Sequence, residues 1–93
     1  MIVVRLASAL RTYADGAAHV EVDLPAPVTL RAVLDALDER HPAAGRRLRD
    51  EAGALRRHVN LFVGSDDART LHGLDTVVSD GAEVAVFPAV SGG

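Results

Sequence analysis

The segment His19-Val20-Glu21-Val22-Asp23-Leu24 alternates polar and apolar residues from end to end. Because successive side chains of a strand point to opposite faces, this pattern predicts a strand whose three apolar residues face a core. The earlier run 2–7, Ile-Val-Val-Arg-Leu-Ala, is rich in β-branched residues and predicts a second strand. With residues 8–18 as a turn or loop around Asp15-Gly16, the two strands are expected to form a hairpin.

An amphipathic helix is predicted over residues 30–40. Its apolar residues recur at positions i, i+3, i+4 and i+7, which is the spacing of one helix face. They are Leu30, Val33, Leu34 and Leu37. Thr29 is well placed to cap the first turn, and His41-Pro42 is expected to end the helix. Residues 43–56 favour one or two short helical turns, interrupted by the two glycines they contain.

The second half of the chain is predicted to return to the sheet. The runs His58–Gly64 and Glu83–Phe87 alternate apolar residues toward a core, which is typical of strands. Between them we expect a turn at Ser65-Asp66-Asp67, a short edge strand over Ala68–Leu71 and a short helical segment around His72–Thr76.

A hairpin, one crossing helix and a returning set of strands predict an α+β fold with β-grasp topology. We expect a mixed sheet of four to five strands, a single domain over residues 1–93 and a flexible tail over residues 88–93. By alternation, Phe62 and Phe87 point away from the core. They are either scattered surface residues or, as we favour, a patch that binds a partner.

Composition excludes several classes of protein. Hydrophobic residues make up 48% of the chain but aromatic residues only 3%, and the net charge is −3, which argues against a nucleic-acid binder. No run approaches the length of a membrane span, so we expect a cytoplasmic protein that is monomeric by itself. The chain contains neither cysteine nor lysine, and the lack of cysteine excludes disulfides and thiolate metal sites.

The sequence holds no pattern typical of an active site. The four histidines are widely spaced, so no metal site is predicted, and the serines lack the context of a catalytic nucleophile. We therefore expect a protein that is not an enzyme by itself. Five arginines between Arg46 and Arg57 form a basic stretch, which is either a solvated surface or a surface that docks on an acidic partner.

The sequence ends in Gly92-Gly93, directly after Phe87-Pro88-Ala89-Val90-Ser91. Glycine has no Cβ, so this pair could thread a narrow channel and present its carboxylate to a reaction centre. The alternative is a frayed tail without a function, because terminal residues are commonly poorly ordered. The diglycine by itself leaves both interpretations open.

The strand residues 59–63, the pair Asp80-Gly81, the residues Glu83-Val84 and the ending Pro88-Ala89-Val90-Ser91-Gly92-Gly93 occur together in this chain. In this combination the sequence resembles the MoaD/ThiS-type sulfur carriers of prokaryotes, which share the ubiquitin-like β-grasp fold. The ending is most similar to that of the actinobacterial carriers that supply sulfur to a cysteine synthase.

The resemblance implies a carrier whose C-terminus is the reactive group. An E1-like enzyme would adenylate the Gly93 carboxylate with ATP and Mg²⁺, and a sulfur donor would displace AMP to leave a thiocarboxylate, the active form. The carrier itself would bind no cofactor. Gly92 would supply reach, and docking on partners would fall to Phe62, Phe87, Pro88, Ala89, Val90 and Ser91.

The sulfur acceptor and two competing functions stay open. A cysteine synthase that uses pyridoxal phosphate is the leading acceptor, and molybdopterin, thiamine thiazole and thiosugar synthases are the others. The competing functions are a ubiquitin-like modifier joined to amines through Gly93 and an inert β-grasp interaction domain. The absence of lysine either reflects a GC-rich genome, consistent with the many Ala, Arg, Gly and Val residues, or protects an activated acyl group from capture, which fits the modifier as well as the carrier.

Overall fold

The alternating segments of the sequence form the strands of a mixed sheet in the computed structural model, which describes residues 1–88. In chain order the strands of this part are β1 (Ile2–Leu6), β2 (His19–Val22), β3 (Val28–Thr29), β4 (Val59–Val63), β5 (Asp66–Asp67), β6 (Val77–Val78) and β7 (Glu83–Pro88). Five of these make the main sheet in the order β2-β1-β7-β4-β5, and β3 pairs with β6 in a separate two-stranded sheet. The predicted α+β class is confirmed.

Strands β1 and β7 lie side by side at the centre of the main sheet and run parallel, with Val4 opposite Val84. On either side, β2 pairs with β1 and β4 pairs with β7, both antiparallel. Val4 also lies opposite Val20, and both side chains are buried. The hairpin is therefore confirmed, but its second strand ends at Val22, and Leu24, predicted to be in it, lies after the strand and is only partly buried against the core.

Within residues 1–88 the α-helices are α1 (Ser8–Arg11), α2 (Leu30–Arg40) and α3 (Pro42–Leu48), and none of them is long and apolar enough to cross a membrane. Helix α2 begins and ends as predicted. The Thr29 hydroxyl accepts a hydrogen bond from the Ala32 amide at 3.2 Å, and the helix stops before His41-Pro42. Its four apolar residues are buried in the same core as the inward residues of the strands.

The connection between β1 and β2 contains helical turns, so the prediction of a loop there was wrong. Helix α1 continues into a 3-10 helix over Thr12–Ala14, and the chain reverses at Asp15-Gly16, where φ is 55° and 83°. Leu10 and Ala14 lie one turn apart and are both buried. Because Leu10 is the sole large aliphatic residue of this segment, the sequence carries too little periodicity to predict a helix.

Helix α3 passes through Gly45 instead of being interrupted by it. A Cβ at this position would lie 1.4 Å from the Oδ1 atom of Asp38 in α2. The glycine therefore lets the two helices approach closely, and the predicted interruption was wrong. The second glycine of this region, Gly53, does lie in a turn after α3, with φ of 86°.

Arg49 follows α3 and ties the end of this helix to α2. Its Nη2 atom lies 2.8 Å from Oδ1 of Asp35 and 2.9 Å from Oδ2 of Asp38, and the side chain is only 9% exposed. Neither interpretation of the basic stretch applies to this arginine, because it is buried and paired within the fold.

The turn after β4 is tighter than predicted. Gly64 and Ser65 connect β4 to β5, with Gly64 at φ of 61° and Val63 opposite Asp66. A two-residue hairpin loop with a positive φ at its first position favours glycine there. The residues predicted to complete the turn, Asp66 and Asp67, instead form the edge strand β5.

The edge strand predicted over Ala68–Leu71 was wrong. Residues Ala68–Thr70 form a 3-10 helix, because the Asp67 carboxylate accepts a hydrogen bond from the Arg69 amide at 2.9 Å and so turns the chain. The short helical segment expected next is confirmed as a 3-10 helix over Gly73–Asp75.

An exposed ion pair lies just before β7. The N-terminal ammonium of Met1 donates a hydrogen bond to the Asp80 carboxylate. That hydrogen bond, together with the attraction between the two charges, holds the pKa of the Asp80 carboxyl below its usual value.

Candidate functional site

The two phenylalanines lie on the outer face of the main sheet, which is the face opposite α2. Leu61 and Val86 point inward and are buried, whereas Phe62 and Phe87 follow them in sequence and are half-buried. The prediction that both rings point away from the core is confirmed, and neither ring is needed to fill it.

The two rings contact each other. Their centroids lie 6.0 Å apart and their planes meet at 74°, which is the edge-to-face geometry that aromatic pairs favour. The contact follows from the register, because Phe62 lies opposite Ala85 and Phe87 is two residues further along β7. Such diagonal neighbours on one face of a sheet are within reach of aromatic side chains.

Arg5 of β1 extends the aromatic pair toward the centre of the sheet. Its Cζ atom lies 5.5 Å from the centroid of the Phe87 ring, and its Nε atom donates to Glu83 at 2.8 Å. Arg5 also lies opposite Ala85, which is 2% exposed although it faces outward. We call Arg5, Phe62, Ala85 and Phe87 the outer-face patch. In this patch the side chains of Arg5, Phe62 and Phe87 surround the small, buried Ala85.

Asn60 and Arg69 hold the strand next to the patch in place. Asn60 lies opposite Phe87, and its Oδ1 atom accepts a hydrogen bond from Nη1 of Arg69 at 3.0 Å. The Nη2 atom of the same arginine donates to the carbonyl of Arg56 at 3.2 Å. Sequence reasoning misses this bridge, because the contacts join separate segments and no local pattern marks them.

Strand β7 ends beside the patch. Pro88, which we expected to begin the tail, ends β7 and lies opposite Val59 of β4. The other predicted site residues lie outside the described residues. They are Ala89, Val90, Ser91, Gly92 and Gly93. One strand thus carries Phe87 of the patch and leads directly to the predicted reactive segment.

The described geometry supports binding of another protein. The outer-face patch combines aromatic surface with one arginine, and buried aromatic and arginine side chains are the residues that contribute most at protein interfaces. In the part of the chain that the structure describes, no group of three His, Cys, Asp or Glu side chains is arranged to hold a metal ion. The outer-face patch, which lies next to the end of β7, is thus a surface of the composition that protein interfaces favour.

Comparison with known families and proteins gives consistent matches. The model of the ThiS family matches residues 4–93 of the chain. The sulfur carrier protein CysO of Mycobacterium tuberculosis is 40% identical over 67 residues, which make up 70% of this chain and 72% of that protein.

Solved structures of similar proteins share the whole fold. The crystal structure of the Amycolatopsis orientalis BexX/CysO complex contains a chain with a TM-score of 0.88 and 32% identity, which covers 100% of both chains. The crystal structure of SAMP1 from Haloferax volcanii has a TM-score of 0.84 and 33% identity, covering 99% of this chain and 98% of that one. The predicted ubiquitin-like β-grasp fold is therefore confirmed.

Proposed function

This chain belongs to the ThiS family, and we propose that it carries sulfur as a thiocarboxylate formed at Gly93. Its curated relatives of the CysO type are named as sulfur carriers and not as enzymes. In this proposal the chain is a co-substrate, and the bond-making steps take place in the active sites of partner enzymes in the cytoplasm.

The observation that carries the proposal is the position of the outer-face patch on the strand that leads to Gly92-Gly93. Residues 89–93 follow Pro88, and five residues span at most about 18 Å when fully extended, at about 3.6 Å per residue. A partner that binds the patch can therefore receive Gly93 in a channel of up to that depth. Docking and reactivity then belong to adjacent parts of one chain.

The chemistry proceeds in two steps. An oxygen of the Gly93 carboxylate attacks the α-phosphorus of ATP, and pyrophosphate leaves with its charge neutralised by Mg²⁺. A sulfide sulfur then attacks the acyl carbon of the resulting adenylate, and AMP leaves with the bonding electrons to give the thiocarboxylate. Each step has a good leaving group, so one difficult substitution becomes two easier ones. Neither Gly93, whose Cα is bonded to the acyl carbon, nor Gly92 before it has a Cβ, so the acyl carbon is unhindered on the chain side.

The composition of the chain supports an activated acyl group. An acyl-adenylate reacts readily with primary amines, and the ten basic residues of this chain are all arginines. Guanidinium groups stay protonated at neutral pH and are poor nucleophiles. No side-chain amine of the carrier therefore competes with sulfide for the adenylate.

We propose two kinds of partner for this chain. The first is an E1-like adenylating enzyme, and the second is the synthase that accepts the sulfur. A similar protein, CysO of Amycolatopsis orientalis, forms a complex with a second protein, BexX, which supports docking as the mode of action. A pyridoxal-phosphate-dependent cysteine synthase is the leading acceptor, and molybdopterin, thiamine thiazole and thiosugar synthases are the alternatives.

The test is the intact mass of the protein after incubation with a cognate E1-like enzyme, Mg-ATP and sulfide. We expect the mass of the protein to increase by the difference between a sulfur atom and an oxygen atom. Two controls have altered ends, one lacking Gly93 and one with an alanine added after it, and neither should gain this mass. A wild-type protein that stays unmodified, with an enzyme that binds it and cleaves ATP, would refute the proposal.

A ubiquitin-like modifier is the second candidate. Small archaeal modifier protein 1 of Haloferax volcanii is 36% identical over 84% of this chain and 85% of that protein. A modifier forms an amide bond between the Gly93 acyl group and an amine of a target protein. Adducts of this chain that survive thiols and denaturant would support the modifier, whereas a thiocarboxylate consumed by a synthase would support the carrier.

A further inference from the structure

Four arginines of the basic stretch carry charge that the described fold leaves uncompensated. Arg46, Arg47, Arg56 and Arg57 make no ion pair with a carboxylate within residues 1–88, whereas Arg5, Arg31 and Arg49 each do. Arg11, Arg40 and Arg69 make none there either, but they lie apart from one another in the sequence and do not form a cluster. The protein as a whole is acidic, with a net charge of −3. A local excess of positive charge on an acidic protein creates a field that attracts an oppositely charged surface.

Three of these arginines, Arg46, Arg47 and Arg56, line an open groove of about 410 Å³, which we call the arginine groove. Arg57 does not line it, but it lies in sequence between the lining residues Arg56 and His58 and adds its charge beside the groove. The groove is lined by Tyr13, Ala43, Arg46, Arg47, Arg56 and His58. No carboxylate lines it, although Asp50 and Glu51 line an adjacent cavity that shares Arg46. The groove therefore presents cationic and aromatic groups to an incoming partner.

The walls of the groove are held together by contacts inside the protein. The Cζ atom of Arg47 lies 4.3 Å from the centroid of the Tyr13 ring, and Nε of Arg56 donates to the carbonyl of Arg46 at 2.8 Å. Arg69 in turn donates to the carbonyl of Arg56. Because these contacts fix α3 against the residues before β4, binding at the groove requires little ordering of the backbone.

The arginine groove lies at the edge of the sheet where β7 ends. Val59 is the first residue of β4 and lies opposite Pro88. Arg57 and His58 directly precede Val59, so they lie beside the point from which residues 89–93 continue. A partner that takes up the segment after Pro88 would therefore come close to Arg57 and His58, next to the groove.

We propose that the arginine groove binds an acidic segment at the rim of the channel of the activating enzyme. The inference rests on the proposed function, because it assumes a partner that receives Gly93. An extended segment of five residues would place Gly93, and the phosphates that react with it, up to about 18 Å from Pro88. The groove lies at the near end of that span, so it faces protein surface and not the nucleotide. Its charge would speed the encounter and orient the carrier.

The variant R46Q/R57Q tests this inference. Both side chains are exposed in the described fold, and their guanidinium groups make no hydrogen bond or ion pair within residues 1–88, so the substitutions leave the fold intact. The control is R31Q/R40Q, which removes two charges elsewhere on the surface and also removes the ion pair of Arg31 with Asp75 and the hydrogen bond of Arg40 to the Glu21 carbonyl. The measurement is KM for thiocarboxylate formation by the E1-like enzyme, in sodium chloride from about 0.05 M to about 0.5 M.

We expect R46Q/R57Q to raise KM about tenfold at low salt, with kcat unchanged and the difference lost at high salt, and the control to stay within about twofold. Equal effects of the two double variants would overturn the inference, since net charge alone would then explain them. A KM of R46Q/R57Q equal to that of the wild type would also overturn it, while the proposed function would stand.

A titration with hexaglutamate peptide tests binding at the groove without ATP or sulfide. Binding is monitored through the NMR signals of the backbone amides. We expect shifts confined to residues 43–47 and 56–58, which R46Q/R57Q abolishes and R31Q/R40Q retains. Equal shifts with inorganic phosphate at the same charge concentration would show a phosphate site and overturn the choice of an acidic protein segment. Binding of the peptide by a protein that never gains sulfur would count against the proposed function alone.

Discussion

Leu61 and Phe62 are neighbours in β4, yet their side chains lie on opposite faces of the same sheet. Leu61 is 1% exposed and packs with α2 in the core, whereas Phe62 is half-buried and lies against Phe87. The inner face is closed by a helix with a matching apolar stripe. On the outer face, Phe62 and Phe87 stay only half-buried within the described residues, so part of their aromatic area is accessible.

The difference between the two faces separates stability from recognition. Removing a side chain from the inner face leaves a cavity that the close-packed interior cannot fill. Removing one from the outer face leaves a space that water can enter, and only part of the lost side chain was buried, so the cost should be smaller. Substitutions at adjacent positions should therefore affect either unfolding or partner binding, depending on the face.

The largest effect on stability is expected for Leu61→Ala. Loss of a fully buried leucine side chain should lower the free energy of unfolding by about 2 to 5 kcal/mol, measured by urea denaturation. The volume-conserving Leu61→Met is the control and should cost less than about 1.5 kcal/mol. A loss below about 1 kcal/mol for the alanine variant would mean that the inner face is not the source of stability.

The next largest effect on stability is expected for Gly45→Ala, which disturbs the contact between α2 and α3. The new Cβ would displace the Asp38 carboxylate and weaken its contact with Arg49, at a cost of about 1 to 3 kcal/mol in unfolding free energy. The control introduces the same change in an Asp38→Ala background, where the added loss should fall below about 0.5 kcal/mol. Equal losses in both backgrounds would exclude the clash as the cause.

Phe62→Ala should separate the two properties. Because the ring is half-buried, the loss of unfolding free energy should be about 1 kcal/mol. The KM for thiocarboxylate formation should nevertheless rise about tenfold, since truncated aromatic residues at interfaces cost the most binding energy. The KM of Phe62→Leu, which keeps apolar area, should lie between the KM of the wild type and that of the alanine variant. An unchanged KM for the alanine variant would remove the outer-face patch from the proposed docking surface.

The smallest effect on stability is expected for Asp80→Asn, which removes an exposed ion pair at the surface. Because the ammonium of Met1 lowers the pKa of Asp80, this ion pair stabilises the folded state above the usual titration range of aspartate. Its contribution disappears as the pH falls through the lowered pKa. Thermal melts should therefore show a small difference between the two proteins at neutral pH and none in strong acid. A difference that persists in acid would exclude this ion pair as its source.

The parts of the fold that the sequence predicts are those determined by local patterns. The bounds of α2 follow from the Thr29 cap, four apolar residues at helical spacing and His41-Pro42. The hairpin of β1 and β2 follows from strict alternation. In both elements the local preference and the tertiary environment agree, and for this reason the sequence alone predicts them correctly.

The parts that the sequence does not predict depend on contacts between distant segments. Strands β3 and β6 have only two residues each, and their pairing joins Val28 to Val78. The burial of Arg49 requires the carboxylates of α2, and the shape of the 3-10 turn at Ala68–Thr70 depends on a single aspartate. At the site, alternation predicts the outward direction of Phe62 and Phe87, but only the register shows that their rings meet.

The parallel pairing of β1 and β7 has a mechanical consequence. A channel that draws in the segment after Pro88 pulls along the axis of β7, which is hydrogen-bonded to β1 on one side and β4 on the other. Force in that direction loads both ladders in shear, so many hydrogen bonds must break together and the strand cannot peel away one bond at a time. The carrier can thus be held under tension by its last residues while the rest of the protein keeps its shape.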